Sequence, residues 1–482
     1  MDSGADALKC IYTELFLDNQ SKLQDLAHRP VGRLLWEYSL PAVVGMLVMA
    51  LYNIVDRVFI GQVVGPQAIA GMTITFPLMN ITTAVGVLVG VGAATRISIM
   101  MGRRDKGAAE RILGNAVTLT FINGGAYMLV FFVWLDPILH AFGTGDLTLP
   151  YARSYMLWVL PGLLLTNIAF GLNNVLRATG YPTKAMYTMI IGAVVNVILD
   201  AILVLGFDMG MAGAAIATDI AMSASAWFVI AHFFKPNVNL AFRRGTFRLD
   251  RRVVGAIMSI GASPFVVNVA SCMINVLINR SLAGHGGDMA IGAAGIFVTV
   301  TSLAVTIVLG VTMGLQAVIG YNYGAGLYHR LRRAFWLATG VGTIVCTIGA
   351  LGGLIFPQYL ARAFTSDEFL IATTVTCLRH ALWAFPVVGF QIISTCLFQS
   401  VGMPARAMIL SLSRQVLFLI PLMLWLPNVY GVEGVWLSFP LSDILATIVS
   451  LVMVIQIFRQ FSHYSPTINY SSENNRNDEP AV

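Results

Sequence analysis

The segment Gly180-Tyr-Pro182-Thr-Lys-Ala-Met186 recurs 222 positions later as Gly402-Met-Pro404-Ala-Arg-Ala-Met408. Three further pairs of short motifs repeat at nearly the same offset, and four matches at a near-constant spacing argue against chance. The sequence therefore predicts two copies of one structural unit within a single chain. The other pairs are Ser39–Pro41 with Ala262–Pro264, Gly92 and Gly102 with Gly314 and Gly324, and Gly210–Gly213 with Gly431–Gly434.

The chain around these motifs is strongly apolar. Of its 482 residues, 57% are hydrophobic and only 11% are charged, whereas a soluble domain carries about 25% charged residues. A membrane-spanning helix needs about 20 mainly apolar residues, and the apolar stretches provide about twelve such helices, six in each copy. We therefore predict an all-α integral membrane protein of two pseudo-symmetric six-helix lobes. Because six is even, the lobes should be related by an axis along the membrane normal, with a cavity between them.

Basic residues in alternate loops predict the orientation. Lysines and arginines concentrate after the second, sixth and eighth spans, as in the runs Arg103–Lys106 and Arg243–Arg252. The positive-inside rule then places both termini in the cytoplasm. We expect a multi-pass protein of the cell inner membrane. The predicted divisions are a cytoplasmic N-terminal segment (1–33), an N-lobe (34–234), a cytoplasmic linker (235–252), a C-lobe (253–458) and a cytoplasmic tail (459–482).

The sequence also gives three expectations for particular segments, namely the two ends of the chain and the tenth span. Residues 11–27 form either a short interfacial helix or part of a disordered tail, and residues 465–482 are polar and expected to be disordered. The tenth span is expected over about residues 373–400, and Pro386 interrupts it, which marks a candidate bend.

The acids inside the spans are few, and each is costly in a membrane, by several kcal/mol at the bilayer centre. Asp56 follows Asn53 by three residues and Asp200 follows Asn196 by four, so each pair shares a helix face. Thr218 lies one to two turns into a span that enters from the opposite side, which brings it to the same depth. Two acids, two amides and a hydroxyl at one level suit the binding of a proton or of a small cation through oxygen ligands.

Plain structural interpretations exist for the same acids. Asp56 could pair with Arg57 at the lipid–water boundary, Asp200 could cap a helix, and the neighbouring Asp219 either joins the site or faces a polar loop. The repeat favours a specialised role, because the second half has lost both acids. The counterpart of Asp56 is Asn279, and that of Asp200 falls at Pro421 or Leu422.

Polar residues of the second half offer a possible ion or substrate contact. Asp443 lies near the middle of the twelfth span, where it either attracts a cationic substrate or pairs with Arg414 of the eleventh. Gln391, in the tenth span, either lines the cavity or bonds between helices.

Several segments together carry a family resemblance: Leu51–Asp56, Gly180–Pro182, Asn196–Asp200, Gly213–Thr218 and Gly434–Trp436. As a set they resemble the multidrug and toxic compound extrusion (MATE) family over nearly the full length, and the stretch around Asp200 is most similar to the DinF-type and MepA-like bacterial branches. The resemblance implies two lobes in a V and export of organic cations or other amphipathic compounds against an inward gradient of H⁺ or Na⁺. Carried over, the ion site is Asp56, Asn196, Asp200 and Thr218.

This chain also departs from that family's pattern. Met49 stands where some relatives carry a glutamine, Asp219 is an extra acid, and the acid that the NorM-like branch uses in the seventh span is absent. These differences leave H⁺ and Na⁺ both open as the coupling ion.

We therefore expect a monomeric, ion-coupled multidrug efflux transporter that contributes to antibiotic resistance, with small-molecule substrates, the lipid bilayer as its surroundings and no cofactor. The alternative is a flippase for lipid-linked precursors, whose cavity should carry clustered basic residues. Here only four arginines lie near the spans, and they are dispersed: Arg96, Arg280, Arg379 and Arg414.

Other classes of protein fit poorly. The chain shows no nucleophile–base pair, phosphate loop or metal motif of an enzyme. Its five cysteines are scattered, which excludes a disulfide framework. The net charge of +6 resides in short loops between apolar spans, so we expect no nucleic-acid partner.

Overall fold

The computed structural model describes residues 25–63, 66–142, 144–145, 148–207, 209–235 and 238–464. Within these ranges, the side chains at 53, 57–63, 66–74, 76, 205, 288 and 462–464 are not described. Most of the segment 11–27 and the whole tail 465–482 lie outside the described residues, so the two expectations for them stay predictions.

The described chain is a bundle of long helices. Eleven are long and apolar enough to cross a membrane, and one bent pair supplies a twelfth span, so the predicted all-α, twelve-span fold is confirmed. They are α1 (Val31–Val63), α2 (Pro66–Gly102), α3 (Lys106–Ala141), α4 (Leu149–Ala178), α5 (Pro182–Asp200), α6 (Gly210–Phe233), α7 (Arg251–Gly287), α8 (Met289–Gly324), α9 (Tyr328–Ile355), α10 (Glu368–Ala381 with Pro386–Ser400), α11 (Pro404–Tyr430) and α12 (Val432–Tyr464).

Two spans contain π-helical segments, in which the backbone bonds from residue i to i+5. The π segment Ala201–Gly206 continues the span of α5 directly after Asp200, the last residue of α5. In α11 the segment Ser413–Leu419 lies between two α-helical stretches. Because π segments are rare and cluster at functional sites, both bear on the placement of polar residues.

The backbone repeats between the two halves. Residues with positive φ recur 221 or 222 positions apart: Arg104 (61°) with Gly326 (74°), Gly180 (96°) with Gly402 (78°), and Gly210 (55°) with Gly431 (59°). Left-handed backbone is disfavoured for any residue with a Cβ, so its recurrence at Arg104 reflects a turn that the fold requires. The two halves are therefore copies of one structure.

The tenth span begins earlier than predicted and is broken at the proline marked in the sequence. It begins at Glu368 and not near residue 373, and it bends by 57° at a break between Ala381 and Pro386. The physical reason is the proline, which has no N–H to continue the helical hydrogen bonding across the break.

The halves meet through glycines at the end of the bundle that carries the loops 103–105 and 238–250, which we call the basic end. A Cβ on Gly102 would overlap the carbonyl oxygen of Tyr321, and a Cβ on Gly324 would overlap that of Ile99. These contacts between α2 and α8 are equivalent under the repeat. The absence of a side chain therefore lets two backbones touch, and the bundle is closed at its basic end.

Hydrogen bonds reinforce this closure. The hydroxyl of Ser98 donates to the carbonyl of Ala317 at 2.9 Å, and the amide of Gln316 donates to the hydroxyl of Thr95 at 2.6 Å. Both bonds join α2 to α8. A solute between the halves can pass the basic end only if these contacts separate.

Candidate functional site

The acids of the first half come from helices that meet in its interior. Asp56 of α1 is 6% exposed, and Asp200 and Asn196 of α5 are fully buried. Asp200 is the last α-helical residue before the π segment of α5. Asp56 and Asp200 lie within electrostatic range of each other, so two carboxylates share one enclosed region.

A buried tyrosine marks the centre of this region. The hydroxyl of Tyr155, on α4, has Asp56, Asp200 and Asp219 among its electrostatic neighbours. Tyr52 of α1 likewise lies near both Asp56 and Asp200. The structure therefore brings α1, α4, α5 and α6 together around phenol and carboxylate oxygens.

An amide–hydroxyl pair completes the group. The side-chain amide of Asn196 donates to the hydroxyl of Thr218 at 3.3 Å, and that hydroxyl donates to the carbonyl of Ala214 at 3.0 Å. Among the described residues, neither carboxylate oxygen of Asp200 has a hydrogen-bond partner, nor has the amide oxygen of Asn196. These three oxygens are thus acceptors without a donor, which is what a proton or a hard cation requires.

Asp219 faces a neighbouring helix and not a polar loop. Its carboxylate lies against Gly162 of α4, where a Cβ would overlap the Oδ1 atom. That oxygen is buried without a hydrogen-bond partner within the described part of the chain. Asp219 therefore belongs to the same interior, although the described residues contain no group of three His, Cys, Asp or Glu close enough to chelate a metal.

Asn53, the remaining member of the predicted site, is part of helix α1, but its side chain is not described. The same holds for Arg57. The placement of the Asn53 amide and the alternative pairing of Asp56 with Arg57 therefore stay predictions.

In the second half, Asp443 has a hydrogen-bond partner among the described residues, unlike Asp200 in the first half. Its carboxylate accepts a hydrogen bond from Nε of Arg414 at 2.6 Å, with side chains 4% and 33% exposed, respectively. Of the two interpretations in the sequence analysis, the ion pair is the one observed. Gln391, in the second part of α10, is 3% exposed. Both polar atoms of its amide lack a hydrogen-bond partner among the residues that the structure describes.

Polar side chains continue from the acids to the basic end along the contact of α5 with α6, which we call the α5–α6 seam. Thr218, Ser225 and His232 are spaced by seven residues, or two turns, and so share one face of α6. Each meets a residue of α5. The contacts are Asn196 with Thr218 (3.3 Å), Ser225 with the carbonyl of Thr188 (3.1 Å) and Lys184 with His232 (3.4 Å).

Tyr155 was absent from the residues predicted for this site. It lies six residues after the start of α4, which enters from the same end as α6 and its Thr218. The depth argument that selected Thr218 therefore applies to α4 too. The sequence signal existed, but a tyrosine near a helix end is as typical of the membrane interface as of a buried site.

Comparison with known proteins gives concordant matches. The family model described as MatE matches residues 41–202 and 264–425, one copy in each half. The multidrug export protein MepA of Staphylococcus aureus (strain MRSA252) is 26% identical over 427 residues, covering 88% of this chain and 94% of that protein. A protein of Shewanella oneidensis named FAD transporter is also 26% identical, over 431 residues, covering 87% and 93%. A solved structure of the MATE multidrug transporter DinF-BH is 35% identical, covers 89% and 96%, and superposes with a TM-score of 0.83.

Proposed function

Because this chain belongs to the MATE family of multidrug transporters, we propose that it exports organic cations and other amphipathic small molecules in exchange for H⁺ or Na⁺. The relatives named for multidrug export support the substrate class. We further propose that it resides in the inner membrane with both termini, and therefore the basic end, in the cytoplasm, since the basic loops follow the positive-inside rule.

The observation that carries the proposal is the buried pair Asp56 and Asp200 beside Asn196 and Thr218. The carboxylate of Asp200 has no hydrogen-bond donor among the described residues, and a buried carboxylate without a donor or a counter-ion is strongly disfavoured. Binding of H⁺ or Na⁺ removes that penalty, so the interior of the N-lobe has a physical reason to take up a cation. Sodium would use the oxygens of Asp56, Asn196, Asp200 and Thr218, whereas a proton needs one carboxylate oxygen.

Exchange requires that ion and substrate oppose each other's binding, by a coupling free energy of typically 1–3 kcal/mol. The acids project from α1 and α5, and α1 also contacts α8 of the other half, where the hydroxyl of Ser39 donates to the carbonyl of Val311 at 3.3 Å. A shift of α1 on cation binding therefore reaches the contact between the lobes. The substrate would lie between the lobes, and its release and reloading would need the glycine contacts at the basic end to close and part.

The test is efflux of a fluorescent organic cation of the rhodamine class from inverted vesicles or cells that express the protein. Asp200→Asn is compared with Asp136→Asn, a control that removes an exposed acid paired with Arg153 at 3.0 Å. Each is measured with and without sodium and with a protonophore. We expect efflux to be lost in Asp200→Asn and kept in the control, and loss with protonophore alone would identify H⁺ as the coupling ion.

Efflux that is intact in Asp200→Asn would refute coupling through these acids. The flippase alternative finds less support, because Arg414, one of the four arginines near the spans, is neutralised by Asp443. Because one relative is named FAD transporter, flavin adenine dinucleotide is the alternative substrate. Vesicle uptake of labelled flavin dinucleotide, with no transport of rhodamine, would favour that substrate instead.

A further inference from the structure

The chain between α6 and α7 is held against α3 by several side chains, among which Asn115 makes three hydrogen bonds to it. We call residues 238–250 the strap. The amide of Asn115 donates to the carbonyls of Thr246 and Arg248, each at 3.0 Å, and its oxygen accepts from the backbone N–H of Asp250 at 2.8 Å. A loop held by three hydrogen bonds to one side chain presents its own side chains in defined positions.

Three side chains of the strap are basic and exposed, namely Arg243, Arg244 and Arg248, and two more follow in the first turn of α7. Arg243 pairs with the buried Glu110 at 2.8 Å, and Asp250 caps α7 by accepting from the N–H of Arg252 at 2.8 Å. The remaining guanidinium groups make no ion pair with any described residue. They belong to Arg244, Arg248, Arg251 and Arg252, all exposed.

The strap lies next to the point where the exposed apolar surface of α3 begins. The hydroxyl of Thr118 in α3 donates to the carbonyl of Phe247 at 2.9 Å. One turn further along α3, Phe121 and Ile122 are each about half exposed and begin its lipid-facing surface. Phe247 and Leu249 of the strap are themselves 40% and 47% exposed. Aromatic and apolar side chains at this level are typical of the membrane–water interface.

We propose that the strap binds the headgroups of anionic phospholipids in the adjacent leaflet. A guanidinium donates paired hydrogen bonds that match the geometry of a phosphate, and Phe247 and Leu249 contact the acyl region of the same lipid. A preformed loop loses little freedom on binding. The alternation of basic with apolar exposed residues fits a lipid and not a nucleic acid, which has no acyl chain to cover them.

This site also joins the two lobes, because the strap ends where α7 begins. A bound lipid would bridge the N-lobe, through α3, to the first turn of the C-lobe at Arg251 and Arg252. The proposal does not depend on which substrate or coupling ion the protein uses.

The test is retention of lipid by the purified full-length protein. Protein from nanodiscs of equal parts phosphatidylglycerol and phosphatidylcholine is delipidated in steps, and the bound lipids are counted by native mass spectrometry. The variant is Arg244→Gln with Arg248→Gln, which leaves every backbone bond to Asn115 in place. The control is Arg103→Gln with Arg333→Gln, two exposed basic residues elsewhere at the basic end.

We expect the native protein and the control to retain phosphatidylglycerol over phosphatidylcholine by about tenfold, and the variant to lose most of that preference. Raising NaCl from about 0.1 M to 1 M should lower the preference of the native protein, because salt screens exposed charges. An equal preference in variant and native protein, or no preference in the native protein at either salt concentration, would overturn the proposal.

Discussion

Loss of either member of the ion pair between Arg414 and Asp443 should destabilise the protein, but by unequal amounts. The two members differ in access to water, since the Asp443 side chain is 4% exposed and that of Arg414 is 33% exposed. The perturbations are Arg414→Gln and Asp443→Asn, singly and together. Neither change touches the bond in which Thr447 donates to the backbone carbonyl of Asp443 at 2.6 Å.

The magnitudes follow from which charge is left behind. Arg414→Gln leaves a buried carboxylate without its cation, which costs about 3–5 kcal/mol. Asp443→Asn leaves a guanidinium that is one-third exposed and partly hydrated, so the loss is discounted toward about 1 kcal/mol. The double variant leaves no charge, and its stability should lie close to that of Asp443→Asn. A difference of about 3 kcal/mol corresponds to a factor of about 150 in the folded-to-unfolded ratio.

The assay is denaturant or thermal unfolding of the four purified proteins in one detergent. The fraction of protein that stays monodisperse is the measure of unfolding. We expect Arg414→Gln to be the least stable, and its deficit to shrink as the pH is lowered, because protonation neutralises the carboxylate left without a partner. Asp443→Asn as damaging as Arg414→Gln, or a double variant no better than Arg414→Gln, would refute this reasoning.

Three further predictions concern the strap, the lobe contact and the ion site. Asn115→Ala removes three hydrogen bonds to the strap, a loss of about 2–4 kcal/mol, so trypsin should cleave the strap faster. An unchanged cleavage rate would contradict the role of Asn115. Gly324→Leu collides with backbone and should lengthen the distance between spin labels at the basic ends of α2 and α8. Gly125→Leu, which meets open space, should not, and equal distances in both would count against the glycine contact. Thr218→Val removes the acceptor of Asn196, a loss of about 1 kcal/mol, and should weaken the ion dependence of efflux several-fold; an unaltered dependence would exclude Thr218 from the site.

The features of the fold that the sequence predicts are those that depend on composition and spacing. Twelve spans follow from apolar lengths, and the repeat follows from motifs such as Gly180–Met186. The depth of Asp200 and Thr218 could be counted from the ends of their helices, and the hydrogen bond of Thr218 with Asn196 agrees with that count. Depth is readable because a helix rises about 1.5 Å per residue.

What the sequence could not supply depends on the rotation and packing of helices. The size of the bend at Pro386 and the π segment around Arg414 alter which face a residue presents, and a pattern of apolar residues does not encode them. The pairing of Asp443 was therefore open between two interpretations. The role of Asn115 was invisible, since an asparagine near a helix start gives no sign that it holds a loop more than 130 residues away.

The α5–α6 seam has a consequence for how the protein is made. Each of these helices alone would expose polar groups such as Asn196 and His232 to lipid, where a polar group without a partner is costly. Only three residues of sequence separate the π segment that ends at Gly206 from Gly210 at the start of α6. Biosynthesis should therefore deliver α5 and α6 to the bilayer as one helical hairpin, in which Asn196 contacts Thr218 and Lys184 contacts His232 before either helix is exposed to the acyl chains.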